Sequence, residues 1–68
     1  MYNYWFWDVL NDESLGLLSL DKKPEKGDII VDGFIRHNPT ARWEVLGHSD
    51  AYVLAVLESC KKYLQTDV

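Results

Sequence analysis

The fold is decided by the first ten residues, Met1-Tyr2-Asn3-Tyr4-Trp5-Phe6-Trp7-Asp8-Val9-Leu10. Aromatic residues fit the pleated surface of a β-strand, and side chains of a strand alternate between its two faces. The alternation places Tyr2, Tyr4 and Phe6 on one face and Trp5, Trp7 and Val9 on the other. This stretch therefore predicts a strand over residues 2–10 that carries large aromatic side chains on both faces.

Residues 50–65 predict an α-helix. Ser49 is a favourable N-cap, and Asp50 follows it in the first turn, where a negative charge complements the helix dipole. No Gly or Pro interrupts the segment. An apolar stripe at helical spacing runs along it: Val53, Leu57, Cys60 and Leu64. This stripe would pack one face of the helix on the sheet.

The middle of the chain predicts further strands. Residues 15–20 form a short apolar run that is compatible with a strand or with a single helical turn. Residues 28–36 are rich in β-branched side chains, and residues 42–46 alternate, with Trp43 and Val45 pointing one way. We expect the last two segments to form a hairpin joined by the polar connection 37–41, and the hydrophilic stretch 21–27 to be a solvated loop.

These elements give an α+β fold in ββββα order, with three to four antiparallel strands and one C-terminal helix packed on one face. We expect a single domain over residues 1–68, because a core of this size cannot be divided. One helix cannot cover both faces of such a sheet. Part of the aromatic first strand would then stay exposed, as interaction surfaces do.

Size and cysteine content favour a partner. A chain of 68 residues buries only about 60% of its unfolded surface, so its stability as a monomer is marginal. The single cysteine, Cys60, excludes an internal disulfide and fits a reducing compartment. We therefore expect a homodimer in the cytoplasm. The N-terminus lacks the basic start of a secretory signal, and no apolar run could span a membrane, so we expect no membrane partner.

The aromatic first strand has three interpretations. It can be a core strand, a protein interface, or a platform on which nucleic-acid bases stack. Stacking platforms are flanked by Arg and Lys, which this strand lacks. A patch of Arg36, Arg42 and the loop lysines beside Trp43 could bind RNA, but the net charge of −4 makes direct nucleic-acid binding an unfavourable interpretation.

The acidic excess supports an alternative function, an acidic mimic of nucleic acid that blocks a DNA- or RNA-binding protein. The carboxylates available for such a role are Asp8, Asp12, Glu13, Asp21, Asp28, Asp32, Glu44, Asp50, Glu58 and Asp67. They are spread along the chain rather than gathered in one segment, and the excess over basic residues is modest.

Motifs for catalysis or metal binding are not found in the sequence. His37, His48 and Cys60 have no metal-ligand spacing, and a structural zinc site needs four ligands. The run His48-Ser49-Asp50 contains triad residue types, but adjacent positions cannot form the triad geometry. The four glycines are isolated, so there is no phosphate loop. We expect no enzyme activity, no cofactor and no metal.

The sequence therefore predicts a non-enzymatic protein-binding module or small regulator or inhibitor, which occupies a surface on a larger macromolecule. Very small acidic proteins encoded by phages and accessory genes are often of this type. The residues that we expect at the partner-binding surface or the dimer interface are Tyr2, Tyr4, Trp5, Trp7 and Trp43.

Overall fold

A computed structural model describes residues 1–31 and 40–64 of the chain. Its elements are β1 (Tyr2–Asp8), β2 (Glu13–Leu20), β3 (Ile29–Ile30), β4 (Trp43–His48), β5 (Tyr52–Leu57) and a 3₁₀ helix (Glu58–Leu64). The strands form one five-stranded sheet in the order β2-β1-β5-β4-β3, which curls into a half-barrel. The first strand is thus an inner strand of the sheet.

The sheet is mixed, so the predicted all-antiparallel sheet of three to four strands is wrong. β1 pairs antiparallel with β2 but parallel with β5, in a register that aligns Trp5 with Tyr52 and Phe6 with Val53. β4 pairs antiparallel with both β5 and β3. A parallel pair needs a long crossover connection, and here the connection includes β2, β3 and β4.

The predicted C-terminal α-helix is also wrong, and with it the α+β fold class. Residues 52–57 form the inner strand β5, and only residues 58–64 are helical, with 3₁₀ geometry. A strand with neighbours on both sides can be apolar on both faces, so it lacks the alternation that would distinguish it from a helix. Val53 and Leu57 fit a helical stripe by spacing, but in β5 they belong to one side of a strand.

The contacts of Ser49 explain why the sequence predicts a helix that begins after this residue. Its Oγ accepts a hydrogen bond from the backbone N–H of Tyr52 at 3.3 Å, three residues on, which is the bond that an N-cap makes. The N–H of Ser49 in turn donates to the Tyr52 carbonyl at 2.9 Å and closes the β4–β5 turn. The same side-chain bond can therefore start a helix or stabilise a tight turn.

The core lies on one face of the sheet, which we call the core face. Its buried cluster consists of Tyr4, Phe6, Leu18, Ala41, Trp43, Val45, Val53 and Ala55. The cluster draws on β1, β2, β4 and β5, and Phe6, Val45, Val53 and Ala55 are fully buried. The sequence prediction that Trp43 and Val45 share a buried face is confirmed.

Asp8 ends β1 two residues before the predicted boundary. Its buried carboxylate accepts hydrogen bonds from the backbone N–H groups of Leu10 and Asn11 at 3.1 and 3.3 Å, and from Asn11 Nδ2 at 2.9 Å. These bonds turn the chain away from the strand direction. Asp12 then adopts a left-handed conformation, with a φ of 54°, before β2 begins.

The β1–β2 hairpin and the β4–β5 hairpin each contain an irregularity in register. In β2 the register shifts opposite Phe6 and Trp7, and Gly16 has a φ of +101°. In β4 the register shifts between Val45 and Gly47. Such bulges bend a strand and increase its twist, which helps a short sheet to curl.

The 21–28 loop joins the far edge of the sheet. The N–H of Val45 donates to the Asp28 carbonyl, and the N–H of Gly27 donates to the Val45 carbonyl, both at 2.8 Å. Ile29 and Ile30 continue this pairing as β3, so the predicted hairpin of residues 28–36 with 42–46 is observed at its base. Residues 32–36 of that predicted strand and residues 37–39 of the predicted connection lie outside the described residues.

Substitutions at Gly16 and Gly47 can be compared to measure how much stability depends on the positive φ at the β2 bulge. A Cβ at either position would meet no atom within 4 Å, but only Gly16 has a positive φ. We expect Gly16→Ala to lower the free energy of unfolding by about 1–2 kcal/mol, because an L-residue is strained in that conformation. Gly47→Ala should change it by less than about 1 kcal/mol. Urea unfolding measures both, and equal losses would contradict the bulge geometry.

Val53 and Leu54 test the two faces of β5. Val53 is fully buried in the core cluster, whereas Leu54 is 43% exposed on the opposite face. We expect Val53→Ala to destabilise the protein by about 1.5–3 kcal/mol and Leu54→Ala by under about 1 kcal/mol. Unfolding followed by tryptophan fluorescence measures the difference. A reversed order would mean that the strand is wrongly assigned to its faces.

Candidate interaction surface

Five large apolar side chains lie side by side on the face opposite the core, which we call the outer face. Adjacent strands align Leu17 with Trp5 and Trp5 with Tyr52, which makes one row across three strands. The next row aligns Trp7 with Leu54. Neighbouring strands are about 4.8 Å apart, so side chains in one row contact each other. We call these residues the outer-face patch: Trp5, Trp7, Leu17, Tyr52 and Leu54.

The outer-face patch is open to solvent over about half of its area. Leu17 is 56% exposed, Tyr52 51%, Trp5 46% and Leu54 43%, and Trp7 is half-buried. Trp5, Trp7, Tyr52 and Leu54 lie on the inner strands β1 and β5 and Leu17 lies on the edge strand β2, so backbone pairing sets the spacing between these residues. Trp and Tyr side chains have only two rotatable bonds each, so they lose little side-chain entropy when a partner covers them.

The surroundings of the patch on β1 and β2 are uncharged. Besides the patch residues, the register places Asn3, Ser14 and Ser19 on the outer face of these strands. Ser19 Oγ donates a 2.5 Å hydrogen bond to Asn3 Oδ1 across the two strands. On its β1 and β2 side the patch therefore has a neutral hydrogen-bonding rim, in a chain whose net charge is −4.

The 3₁₀ helix covers the other end of the outer face. Val56 points away from the core cluster and is nevertheless fully buried. Its cross-strand neighbour Glu44 binds Lys61 of the 3₁₀ helix, with 2.5 Å between Oε2 and Nζ. Arg42 Nε and Glu58 Oε1, 2.8 Å apart, hold the start of the same helix. This short helix lies over the Val56 end and leaves the outer-face patch open.

The structure separates the five residues predicted from the sequence. Trp5 and Trp7 belong to the outer-face patch, and their role in binding stays a prediction. Tyr2 is 41% exposed at the start of β1, with Lys23 Nζ 5.8 Å from its ring centroid. Tyr4 and Trp43 lie in the core cluster and present no surface to a partner of the folded chain.

Leu17, Tyr52 and Leu54 were missed by the sequence analysis. Tyr52 and Leu54 fell in the predicted helix, and Leu17 in a run whose structure periodicity could not decide. Their juxtaposition with Trp5 depends on the strand order, which no local pattern encodes. Alternation within β2 and β5 would have indicated which face each residue occupies, but not which neighbours it meets.

The other candidate sites of the described residues offer weaker evidence for a function than the outer-face patch. Within residues 1–31 and 40–64, no three His, Cys, Asp or Glu side chains come together as metal ligands, and His37 lies outside these ranges. Ser49 is engaged in its turn. A surface cavity of about 320 Å³ is lined by Thr40, Ala41, Arg42, Leu57, Glu58 and Ser59, but its two charged side chains pair with each other. None of the helical residues in the described ranges forms a segment long and apolar enough to cross a bilayer.

Comparisons with known proteins give no functional lead. No protein-family model matches the chain, and neither the curated proteins nor the solved structures include a significantly similar one. The surface of the molecule itself is therefore the guide to its function.

The two ion pairs that hold the 3₁₀ helix differ in exposure. Glu44 is 17% exposed in its pair with Lys61, whereas Arg42 and Glu58 are both about half exposed. We expect double-mutant cycles to give coupling energies of about 0.2–1 kcal/mol, with the Glu44–Lys61 pair the stronger and less sensitive to salt. Thermal unfolding at low and high salt measures both. A stronger Arg42–Glu58 coupling would contradict the ranking of the two pairs by their exposure.

Proposed function

We propose that the chain is a non-enzymatic protein-binding module, a small regulator or inhibitor that covers a surface of a larger protein with its outer-face patch. One observation carries this proposal: Trp5, Leu17 and Tyr52 form a row across three strands that remains about half exposed. Trp and Tyr are enriched among the residues that dominate binding energy at protein interfaces.

The size of the patch supports a binding role. A large aromatic side chain has about 150–250 Å² to bury, so Trp5 and Tyr52 each leave on the order of 100 Å² exposed. With Leu17 and Leu54 the total is on the order of 300–400 Å², within the range of the largest patches on monomeric proteins, which are often functional. This area suits the centre of an interface, with the serine and asparagine rim along its β1 and β2 side.

The chemistry of the patch favours a partner surface that is apolar and uncharged at its centre. The alternative of an acidic mimic receives less support, because several of its carboxylates have other contacts. Asp8 is buried, Glu44 and Glu58 pair with basic side chains, and Asp28 accepts a 2.9 Å hydrogen bond from the N–H of Glu25. We propose further that the chain works as a homodimer in the cytoplasm, consistent with its small size and lone cysteine.

The test is partner capture with matched variants. The tagged protein is used as bait in an extract of its own cells, with nuclease, and the captured protein is then purified. We expect Trp5→Ala to weaken binding by about thirtyfold or more, because a central interface tryptophan contributes about 2 kcal/mol or more. Tyr63→Ala is the control, since Tyr63 is 60% exposed but lies on the 3₁₀ helix. It should bind like the unaltered chain.

Salt separates the two functions. Binding through the outer-face patch should change little between low and high ionic strength, whereas an acidic mimic should lose affinity steeply. Equal binding by Trp5→Ala and the unaltered chain would overturn the proposal. Capture that is lost on nuclease treatment would overturn it as well.

A further inference from the structure

β2 forms one edge of the sheet, and among the described residues it pairs only with β1. An edge strand has a row of backbone N–H and C=O groups without a ladder partner, which is a template for another strand. The second edge, β3, is only two residues long. β2 has eight residues and is the edge with room for further pairing.

The register shows which backbone groups of β2 point outward. The N–H groups of Trp5 and Val9 donate to β5, to the carbonyls of Ala51 and Ala55, so the odd-numbered residues of β1 face β5. Its even-numbered residues therefore face β2. Tyr4 is opposite Leu18 in the antiparallel ladder, which makes that pair the hydrogen-bonded one. Leu17 and Ser19 then direct their N–H and C=O groups away from the sheet.

The usual protection of a sheet edge is confined to one half of β2. Charged side chains, prolines and bulges discourage strands from adding to an edge. Residues 14–20 contain no charged residue and no proline. The bulge at Gly16 twists the first half of the strand, but residues 17–20 continue in regular register with β1. The open segment is therefore short, neutral and regular.

We propose that this edge pairs with β2 of a second copy of the chain. An antiparallel two-fold arrangement centred on Leu18 would place Leu17 of one protomer opposite Ser19 of its partner. The N–H of Leu17 would then donate to the carbonyl of the partner's Ser19, and the N–H of the partner's Ser19 would donate to the carbonyl of Leu17. The two sheets would become one continuous sheet, with the outer-face patches of both protomers on the same side.

A second copy fits this edge for three reasons. A two-fold axis matches the outward groups of Leu17 and Ser19 with each other, so the edge is complementary to itself. The segment is uncharged, so two acidic chains can approach there without local repulsion. A domain of this size also gains stability from association. The inference assigns the seam of the proposed homodimer, and it does not depend on binding through the outer-face patch.

Ser19 allows a test that isolates the backbone. Ser19→Pro removes the outward N–H, and proline is tolerated on an edge strand where the N–H faces solvent. Ser19→Ala is the matched control, because both changes remove the hydroxyl that binds Asn3 but only proline removes the N–H. In sedimentation velocity over a range of concentrations, we expect the unaltered chain and Ser19→Ala to dimerise alike. Ser19→Pro should dimerise at least about tenfold more weakly, since two bonds are lost per dimer.

Hydrogen exchange on the unaltered chain is a second test, and its result does not depend on whether the Ser19→Pro variant folds. We expect the amides of Leu17 and Ser19 to be protected at high concentration and to lose protection on dilution, whereas that of Leu18 should stay protected. A chain that is monomeric at every concentration, or equal dimerisation by the two Ser19 variants, would overturn the inference. Either result would leave the Trp5→Ala experiment unaffected, so the two proposals fail separately.

Discussion

The parallel pairing of β1 with β5 is the contact on which the rest of the structure depends. It joins the first strand of the chain to the last and turns two separate hairpins into one sheet. The hydrogen bond from the Trp5 N–H to the Ala51 carbonyl, for example, joins residues that are 46 positions apart and closes the long loop between them. Contacts so distant in sequence form slowly, and they bring together side chains that no local pattern relates.

This pairing also explains why one face is a core and the other a surface. It places Val53 and Ala55 beside Phe6 and Asp8 on the concave side, where the curl of the sheet encloses them. On the convex side the same register brings Tyr52 beside Trp5, with nothing in the described residues long enough to cover both. The 3₁₀ helix reaches only the Val56 end. A domain of this size buries a smaller share of its surface than a larger one, in keeping with one buried face and one that is partly open.

The local parts of the fold could be predicted, and the distant parts could not. Alternation in residues 2–10 predicts the first strand and its two faces, and alternation at Trp43 and Val45 predicts β4. The helix over residues 50–65 was wrong because an inner strand with apolar residues on both faces mimics helical spacing, and because Ser49 makes the same bond in a turn as at an N-cap. For the candidate surface, Trp5 followed from alternation, whereas Tyr4 and Trp43, which the sequence grouped with it, are buried in the core cluster. Leu17 and Tyr52 required the strand order.

The outer-face patch and the β2 edge share only Leu17 and use different parts of it, so the two proposed contacts are compatible. The patch presents side chains perpendicular to the sheet, whereas the edge presents backbone groups within its plane. Leu17 contributes to both, with its side chain on the outer face and its N–H and C=O directed outward. In the proposed dimer, a two-fold axis normal to the sheet would keep both outer faces on one side, so pairing at the edge would extend the apolar surface instead of covering it. A partner with two equivalent sites would then bind both patches at once, and the second contact would form at a high effective concentration.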